Sequence, residues 1–130
     1  MQHFDPVAAH AFLQAEPQAV LVDCRTEIEH MYVGHPPGAE HVAWQEAPEW
    51  EVDPGFAEKV KRLVKGDLAR PVLLLCRSGH RSALAGEALE AAGFTRVGNI
   101  LEGFEGPLDG DFHRGTLGGW RFRGLPWQQT

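Results

Sequence analysis

The 130-residue chain has few cysteines and no long apolar run. Two cysteines, Cys24 and Cys76, are too few for the disulfide framework of a small secreted scaffold, so we expect both to be free thiols. No apolar stretch approaches the roughly 20 residues of a membrane-spanning helix, so we expect no membrane partner. Residues 1–6 lack the basic and apolar regions of a secretory signal, which favours a cytoplasmic location.

Basic residues are also scarce relative to acidic ones. The chain has 12 Lys and Arg against 18 Asp and Glu, a net charge of -6 at pH 7, which argues against nucleic acid as a partner. Among its seven histidines, His30, His35 and His41 do not have the close spacing of known zinc patterns. We therefore predict no metal site.

The length and the order of patterns predict one α/β domain over residues 1–130. Strands are predicted at 19–23, 39–43, 72–75 and 96–100. Helices are predicted after Asp5, from a capping box at 26–29, after Asp53 and over 82–92. Because strands alternate with helices, we expect right-handed crossovers and a mainly parallel sheet with helices on both faces.

The composition changes from about residue 102 onward. This C-terminal extension contains seven glycines in 29 residues without a period. Its aromatic residues, including Phe104, Phe112 and Trp120, argue against disorder because large rings provide area for packing. We expect the extension to wrap around the domain.

The most informative segment is the apolar run 72–75, which ends at Cys76. Four aliphatic residues in succession are typical of a central strand buried on both faces, and ligand sites in open α/β sheets lie at the carboxyl ends of such strands. The loop that follows contains Arg77 and Arg81 and leads into a helix. Cations and a helix N-terminus both stabilise a thiolate, so Cys76 is the predicted nucleophile.

The same loop is suited to binding an anion. Its backbone N–H groups can form a nest, its small residues allow the backbone to curl, and Ser82 can cap the helix. No histidine and carboxylate pair forms the pattern of an acyl-transfer triad. The predicted substrate-binding residues are Arg77, Ser78, Gly79, His80, Arg81 and Ser82.

The loop 76–82 resembles the active-site loop of the rhodanese family of sulfurtransferases. Segment 21–25 is similar to the family's Asp-x-Arg segment, 34–39 to its Gly-His-x-Pro-Gly-Ala turn, and 98–103 to the loop after its last strand. Trp120 with 124–126 resembles its C-terminal end. The resemblance implies a five-stranded, mainly parallel sheet and a persulfide on Cys76 that carries sulfur from a donor such as thiosulfate. It implies cyanide, a thiol or a sulfur-carrier protein as acceptor, and no cofactor.

Two other functions remain open on the sequence. One is a phosphatase or arsenate reductase, since cell-cycle phosphatases resemble rhodaneses in fold. Their loop has five residues between cysteine and arginine, whereas four separate Cys76 from Arg81, which favours sulfur. The other is a non-catalytic partner-binding module, although such modules commonly lack the cysteine.

Several further residues receive a structural interpretation. We expect Asp23 and Arg25 to brace loops, Glu27 and Glu29 to start a helix, and Trp44 and Trp50 to cover the core. Cys24 fits a small buried thiol as well as a resolving cysteine. Compared with the rhodanese family, this chain has about a dozen extra residues before Gly119 and Trp120. We hypothesise that segment 105–116 leans over the active-site mouth.

Overall fold

The computed structural model describes all 130 residues and contains one five-stranded parallel sheet. The strand order is β1-β5-β4-β2-β3, which confirms the α/β fold with the expected five strands. The strands are β1 (Gln2–Phe4), β2 (Val20–Asp23), β3 (Glu40–His41), β4 (Val72–Leu75) and β5 (Val97–Ile100). The helices are α1 (Pro6–Ala15), α2 (Phe56–Leu63) and α3 (His80–Ala91), with a π-helical turn at Glu29–Val33.

The first strand was not identified from the sequence pattern. It has only three residues, of which Gln2 and His3 are exposed, so neither an apolar run nor a clear alternation marks it. It pairs in parallel with β5, placing His3 opposite Asn99 and Phe4 opposite Ile100.

The start of α1 agrees with the cap predicted at Asp5, whereas α2 starts beyond the turn at Asp53. Asp5 accepts a hydrogen bond from the N–H of Ala8 at 2.7 Å, and Pro6 is the first helical residue of α1. Asp53 instead forms a turn by accepting from the N–H of Gly55 at 2.8 Å, and α2 begins after it at Phe56. Thus Asp53 starts the turn that precedes the helix.

The central strand β4 separates two hydrophobic layers. Its residues alternate between the layers, with Val72 and Leu74 on the α2 and α3 side and Leu73 and Leu75 on the α1 side. All four are buried, as a central parallel strand requires. Since both faces are packed, the carboxyl end of β4 is held in a fixed position at one edge of the core.

The C-terminal extension packs on the α1 side of the sheet. Trp120 is 1% exposed, and its indole N–H donates to the carbonyl of Pro126 at 2.7 Å. Farther along, His35 and Gln128 exchange two backbone hydrogen bonds of 2.9 Å. Phe112, in contrast, is 82% exposed and adds nothing to the core. None of the helices has the length and apolar character needed to cross a bilayer.

Candidate active site

Cys76 lies directly after β4, with its side chain at the base of a cleft. The residue is 1% exposed, and its Sγ accepts a hydrogen bond from the N–H of Gly79 at 3.1 Å. Gly79 is the N-cap of α3 and has a φ of +102°, which L-residues with a Cβ rarely adopt. The glycine therefore allows the chain to reverse and point an amide at the sulfur.

Ser82 lies in the first turn of α3 and is fully buried. Its Oγ is 3.2 Å from the Sγ of Cys76, so either atom is positioned to donate to the other. The prediction that Ser82 caps the helix was wrong, as was the start of the helix at 82. Because Gly79 already turns the chain, α3 begins at His80 and Gly79 takes the N-cap position without a side-chain bond.

The backbone of the loop offers unused donors beside the sulfur. The N–H groups of Arg77, Ser78, His80 and Arg81 donate to no group of the chain. Two of these residues open α3, where the free amides of a helix N-terminus carry partial positive charge. This is the arrangement that binds anions in the absence of a metal.

The charges in the loop differ from the sequence expectation. Arg81 does not contribute a free cation, because its guanidinium binds both carboxylate oxygens of Glu29 at 2.9 Å. Arg77 forms no ion pair and is exposed, as is His80. Arg77 is thus the unpaired cation of the loop. Arg81 instead ties the loop to Glu29, in the connection between β2 and β3.

Glu29 has a role that the sequence pattern did not reveal. It forms the expected capping box, accepting from the N–H of Thr26 at 3.2 Å while its own N–H donates to the Thr26 hydroxyl at 3.3 Å. The same carboxylate binds Arg81. Burial alone would raise the pKa of Glu29, but the bonds from Arg81 and Thr26 outweigh burial and hold this pKa below its usual value. The pair is therefore ionised at neutral pH.

The cleft above Cys76 has a volume of about 320 Å³. Its lining residues come from the loop, from Glu29 and from the connection between β3 and α2. They are Glu29, Gln45, Trp50, Cys76, Arg77, Ser78, His80 and Arg81. The two tryptophans of that connection differ: Trp44 is buried in the core as expected, whereas Trp50 is 50% exposed and lines the cleft, contrary to expectation.

None of the lining residues belongs to segment 105–116, so the hypothesis that it leans over the mouth was wrong. The segment is ordered by its own turns: Asp109 accepts from the N–H groups of Asp111 and His113 and from the hydroxyl of Thr116. Arg114 donates to the carbonyl of Gly106 at 2.8 Å. The sequence showed the length of the insertion but not the direction in which it leaves the sheet.

The start of this segment and the residue before it bind the backbone of the loop. The N–H of Phe104 donates to the carbonyl of Cys76 at 2.8 Å, and the N–H of Glu105 donates to that of Arg77 at 3.0 Å. At Gly103 a Cβ would lie 2.5 Å from the same carbonyl of Cys76, so only glycine allows this approach. Gly103 therefore allows its segment to pack closely against the backbone of Cys76 and Arg77.

Replacing residues 108–117 with a two-residue glycine linker should leave the active-site chemistry unchanged. Gly106 and Gly118 already lie in contact, so a short linker can join the flanks without moving Phe104. We expect the rate of alkylation of Cys76 by iodoacetamide to stay within about twofold of the wild-type rate, because no deleted residue lines the cleft. A larger change, in a variant with an unchanged unfolding midpoint, would restore a functional role for the insertion.

Cys24 is the second free thiol and follows β2, the strand paired with the one that precedes Cys76. It directly follows Asp23, which is paired in register with Leu75, and its N–H donates to the carbonyl of Leu75 at 2.9 Å. Complete burial, with a further contribution from Cys76, raises its pKa well above the usual value. Cys24 is therefore a neutral thiol at neutral pH and a poor attacking group.

Asp23 and Arg25 form a fully buried ion pair that braces two loops, as predicted. Two nitrogens of the Arg25 guanidinium bind the two carboxylate oxygens of Asp23 at 2.8 and 2.6 Å. The same guanidinium donates to the carbonyl of Gly34 at 2.6 Å. Both side chains are 0% exposed, so neither one reaches the cleft.

The fold also stacks three histidines that lie within residues 30–41. The ring of His30 lies 3.9 Å from that of His35 and 4.9 Å from that of His41, measured between centroids. A nitrogen of each ring is already engaged, with the carboxylate of Asp23 or with a backbone carbonyl. No set of three His, Cys, Asp or Glu side chains in the structure has the geometry to hold a metal ion.

Comparison with known proteins links this geometry to one family. The family model described as the rhodanese-like domain matches residues 6–107, which include every loop residue discussed above. An uncharacterized protein of Rickettsia conorii, RC0915, is 29% identical over 130 residues, and the match covers 98% of each chain.

Solved structures show the same fold. The crystal structure of Rv0390 from Mycobacterium tuberculosis superposes with a TM-score of 0.87 at 37% identity, covering 100% of this chain and 98% of that one. The polysulfide-sulfur transferase homodimer of Wolinella succinogenes gives a TM-score of 0.62 at 24% identity, covering 100% of this chain and 80% of the other. The second similarity is one of fold.

Proposed function

Because the chain belongs to the rhodanese-like domain family, we propose that it is a sulfurtransferase that moves sulfane sulfur through a persulfide on Cys76. The proposed donor is thiosulfate or a persulfide. The observation that supports the proposal most strongly is the sulfur of Cys76 at the base of a cleft, where it accepts from the N–H of Gly79 in a loop whose other amides have no partner in the chain.

In the first proposed step, the thiolate of Cys76 attacks the outer sulfur of thiosulfate. A new S–S bond forms, the S–S bond of thiosulfate breaks, and its electron pair leaves on sulfite. The negative charge of the resulting persulfide is then on its outer sulfur, one atom beyond Sγ. The loop N–H groups that have no partner in the chain would stabilise that charge, as preorganised backbone donors do for other anionic intermediates.

In the second step, a thiophilic acceptor attacks the outer sulfur. The acceptor gains the sulfur, the persulfide bond breaks, and its electron pair returns to Sγ as thiolate. Cyanide, a low-molecular-weight thiol or a sulfur-carrier protein would each be able to act as acceptor. The cycle needs no metal and no organic cofactor, because the covalent intermediate divides the transfer into two displacements.

The loop residues have different proposed roles. Arg77 is exposed at the rim and would attract an anionic donor, and His80 lines the cleft beside it. Gly79 and Ser82 contact Sγ itself. Arg81 would act as an anchor, since Glu29 occupies its guanidinium. A phosphatase of this fold would need that arginine for its phosphate, and this pairing therefore disfavours phosphate chemistry.

The charge and composition support the remaining parts of the proposal. We propose a cytoplasmic protein that acts on small sulfur compounds and does not bind nucleic acid, since its net charge of -6 opposes binding to a polyanion. A reducing cytoplasm would keep both cysteines as thiols between turnovers.

Turnover with matched substrates tests the proposed reaction. The purified protein is given thiosulfate with cyanide, and thiocyanate is measured; a second assay supplies an aryl phosphate with and without vanadate. We expect thiocyanate formation that saturates with thiosulfate and no phosphate release, because Arg81 is not available for an oxyanion of phosphate. Vanadate-sensitive phosphate release without thiocyanate or any other sulfur transfer would contradict the proposal.

A further inference from the structure

A chain of hydrogen bonds links the sulfur of Cys76 to the protein surface through Asn99. The Sγ of Cys76 is 3.2 Å from the hydroxyl of Ser82, and that hydroxyl donates to Oδ1 of Asn99 at 2.5 Å. On its other side, Nδ2 of Asn99 lies 3.2 Å from Nδ1 of the exposed His3. Asn99 is on β5, is 1% exposed and does not line the cleft.

The surroundings of Asn99 fix the orientation of its amide. Nδ2 faces the carbonyl oxygen of Gly79 at 3.5 Å as well as the ring nitrogen of His3. A backbone carbonyl can only accept, so turning the amide over would place two oxygens against each other. Oδ1 of Asn99 consequently faces Ser82, and an amide oxygen can only accept.

This orientation determines the position of the Ser82 proton. A hydroxyl has one proton, and in Ser82 it is given to Asn99 at the shorter distance of 2.5 Å. The remaining contact, between Ser82 and Cys76, then has the thiol S–H as donor and the hydroxyl oxygen as acceptor. If Cys76 loses its proton, a lone pair of Ser82 faces the negative sulfur unless the hydroxyl gives up its bond to Asn99.

We propose that Asn99 is a positioning residue that holds the Ser82 proton away from Cys76 and thereby disfavours the thiolate. In this arrangement Gly79 supplies the one hydrogen bond from the chain to Sγ. Asn99 acts through Ser82 and touches neither the reacting sulfur nor the cleft.

The consequence for turnover rests on the proposed sulfur transfer. In the persulfide, Sγ is neutral and bonded to a second sulfur, and the charge is on the outer atom beside the free loop amides. The network of Asn99 and Ser82 therefore disfavours charge on Sγ without disfavouring charge one atom farther out. It would favour the loaded form over the free thiolate and slow the return of the electron pair to Sγ.

The pH profile of alkylation tests the proposal without relying on sulfur transfer. The rate of reaction of Cys76 with iodoacetamide is measured from about pH 5 to pH 10 in a Cys24→Ala background, so that one thiol is followed. In Asn99→Leu, which is similar in shape but cannot accept, we expect the rate near pH 6.5, relative to its high-pH plateau, to rise about threefold to tenfold. The loss of a packing contact alone would not shift this pH profile, because the profile responds to the position of the Ser82 proton.

The matched control is the same substitution in a Ser82→Ala background. There the hydroxyl is absent, and Asn99→Leu should change the relative rate by less than about twofold. An unchanged or lower rate in Asn99→Leu, or an equal rise without the Ser82 hydroxyl, overturns the proposal. Absence of sulfur transfer with the expected profiles would instead count against the proposed function alone.

Discussion

Cys76→Ser will lower sulfur transfer from any sulfane donor by at least about a thousandfold, because the hydroxyl is a far weaker nucleophile than the thiolate. The substitution is nearly isosteric, and the residue is 1% exposed between Gly79 and Ser82, so the loop should keep its shape. The measurement is kcat/KM with thiosulfate as donor and cyanide as acceptor, at a fixed pH.

The matched control for this variant is Cys24→Ala. Cys24 is also a buried thiol at a strand end, but its burial keeps it protonated and it does not line the cleft. We expect this variant to retain transfer within about threefold of the wild-type rate. Transfer that survives in Cys76→Ser and disappears in Cys24→Ala would reverse the assignment of the nucleophile.

Asp23→Ala should produce the largest loss of stability, about 3–5 kcal/mol of unfolding free energy. The reason is that Arg25 is 0% exposed and would remain buried without its countercharge. Chemical unfolding at neutral pH measures the loss. Glu16→Ala, which removes a partly exposed carboxylate 3.8 Å from Arg96, serves as control and should cost about 1 kcal/mol or less.

The same aspartate makes stability depend on pH. Burial alone would raise the pKa of Asp23, but hydrogen bonds from His30 and Arg25 outweigh burial and lower this pKa from 3.8 to about 2. A carboxyl group whose pKa is lowered on folding stabilises the protein above its unfolded pKa and loses that contribution as the pH falls through the folded one. About 2 kcal/mol should therefore disappear between about pH 5 and pH 2. Asp23→Asn should abolish this part of the pH profile; an unchanged profile would contradict the assignment.

The sequence was sufficient to predict those parts of the fold that depend on local pattern. The aliphatic run 72–75 gave the central strand, Asp5 and Pro6 gave the start of α1, and Thr26 with Glu29 gave the capping box. These features depend on residues within one turn or one strand of each other. The three-residue β1 was missed because its partner, β5, is more than 90 residues away in sequence.

In the candidate site, too, local sequence patterns predict some features and not others. The order Cys76, short loop, helix predicted an anion-binding turn beside the sulfur, and the structure places the N–H of Gly79 at the sulfur. The partner of Arg81 could not be predicted, because Glu29 is 52 residues away and its pattern was already explained by a helix start. Asn99 likewise appeared to be an ordinary strand residue until β5 was placed beside β4 and α3. Contacts made across the sheet depend on topology, which a single sequence does not encode locally.

The intact mass of the protein after incubation with thiosulfate shows whether Cys76 forms a persulfide. If Cys76 carries the sulfur, the wild-type protein gains the mass of one sulfur atom, cyanide removes it with release of thiocyanate, and Cys76→Ser shows no gain. Cys24→Ala should gain the same mass as wild type, which assigns the added sulfur to the cleft. A wild-type protein that gains no sulfur from thiosulfate or from a low-molecular-weight persulfide, while its Cys76 remains alkylatable, would rule out a persulfide on Cys76.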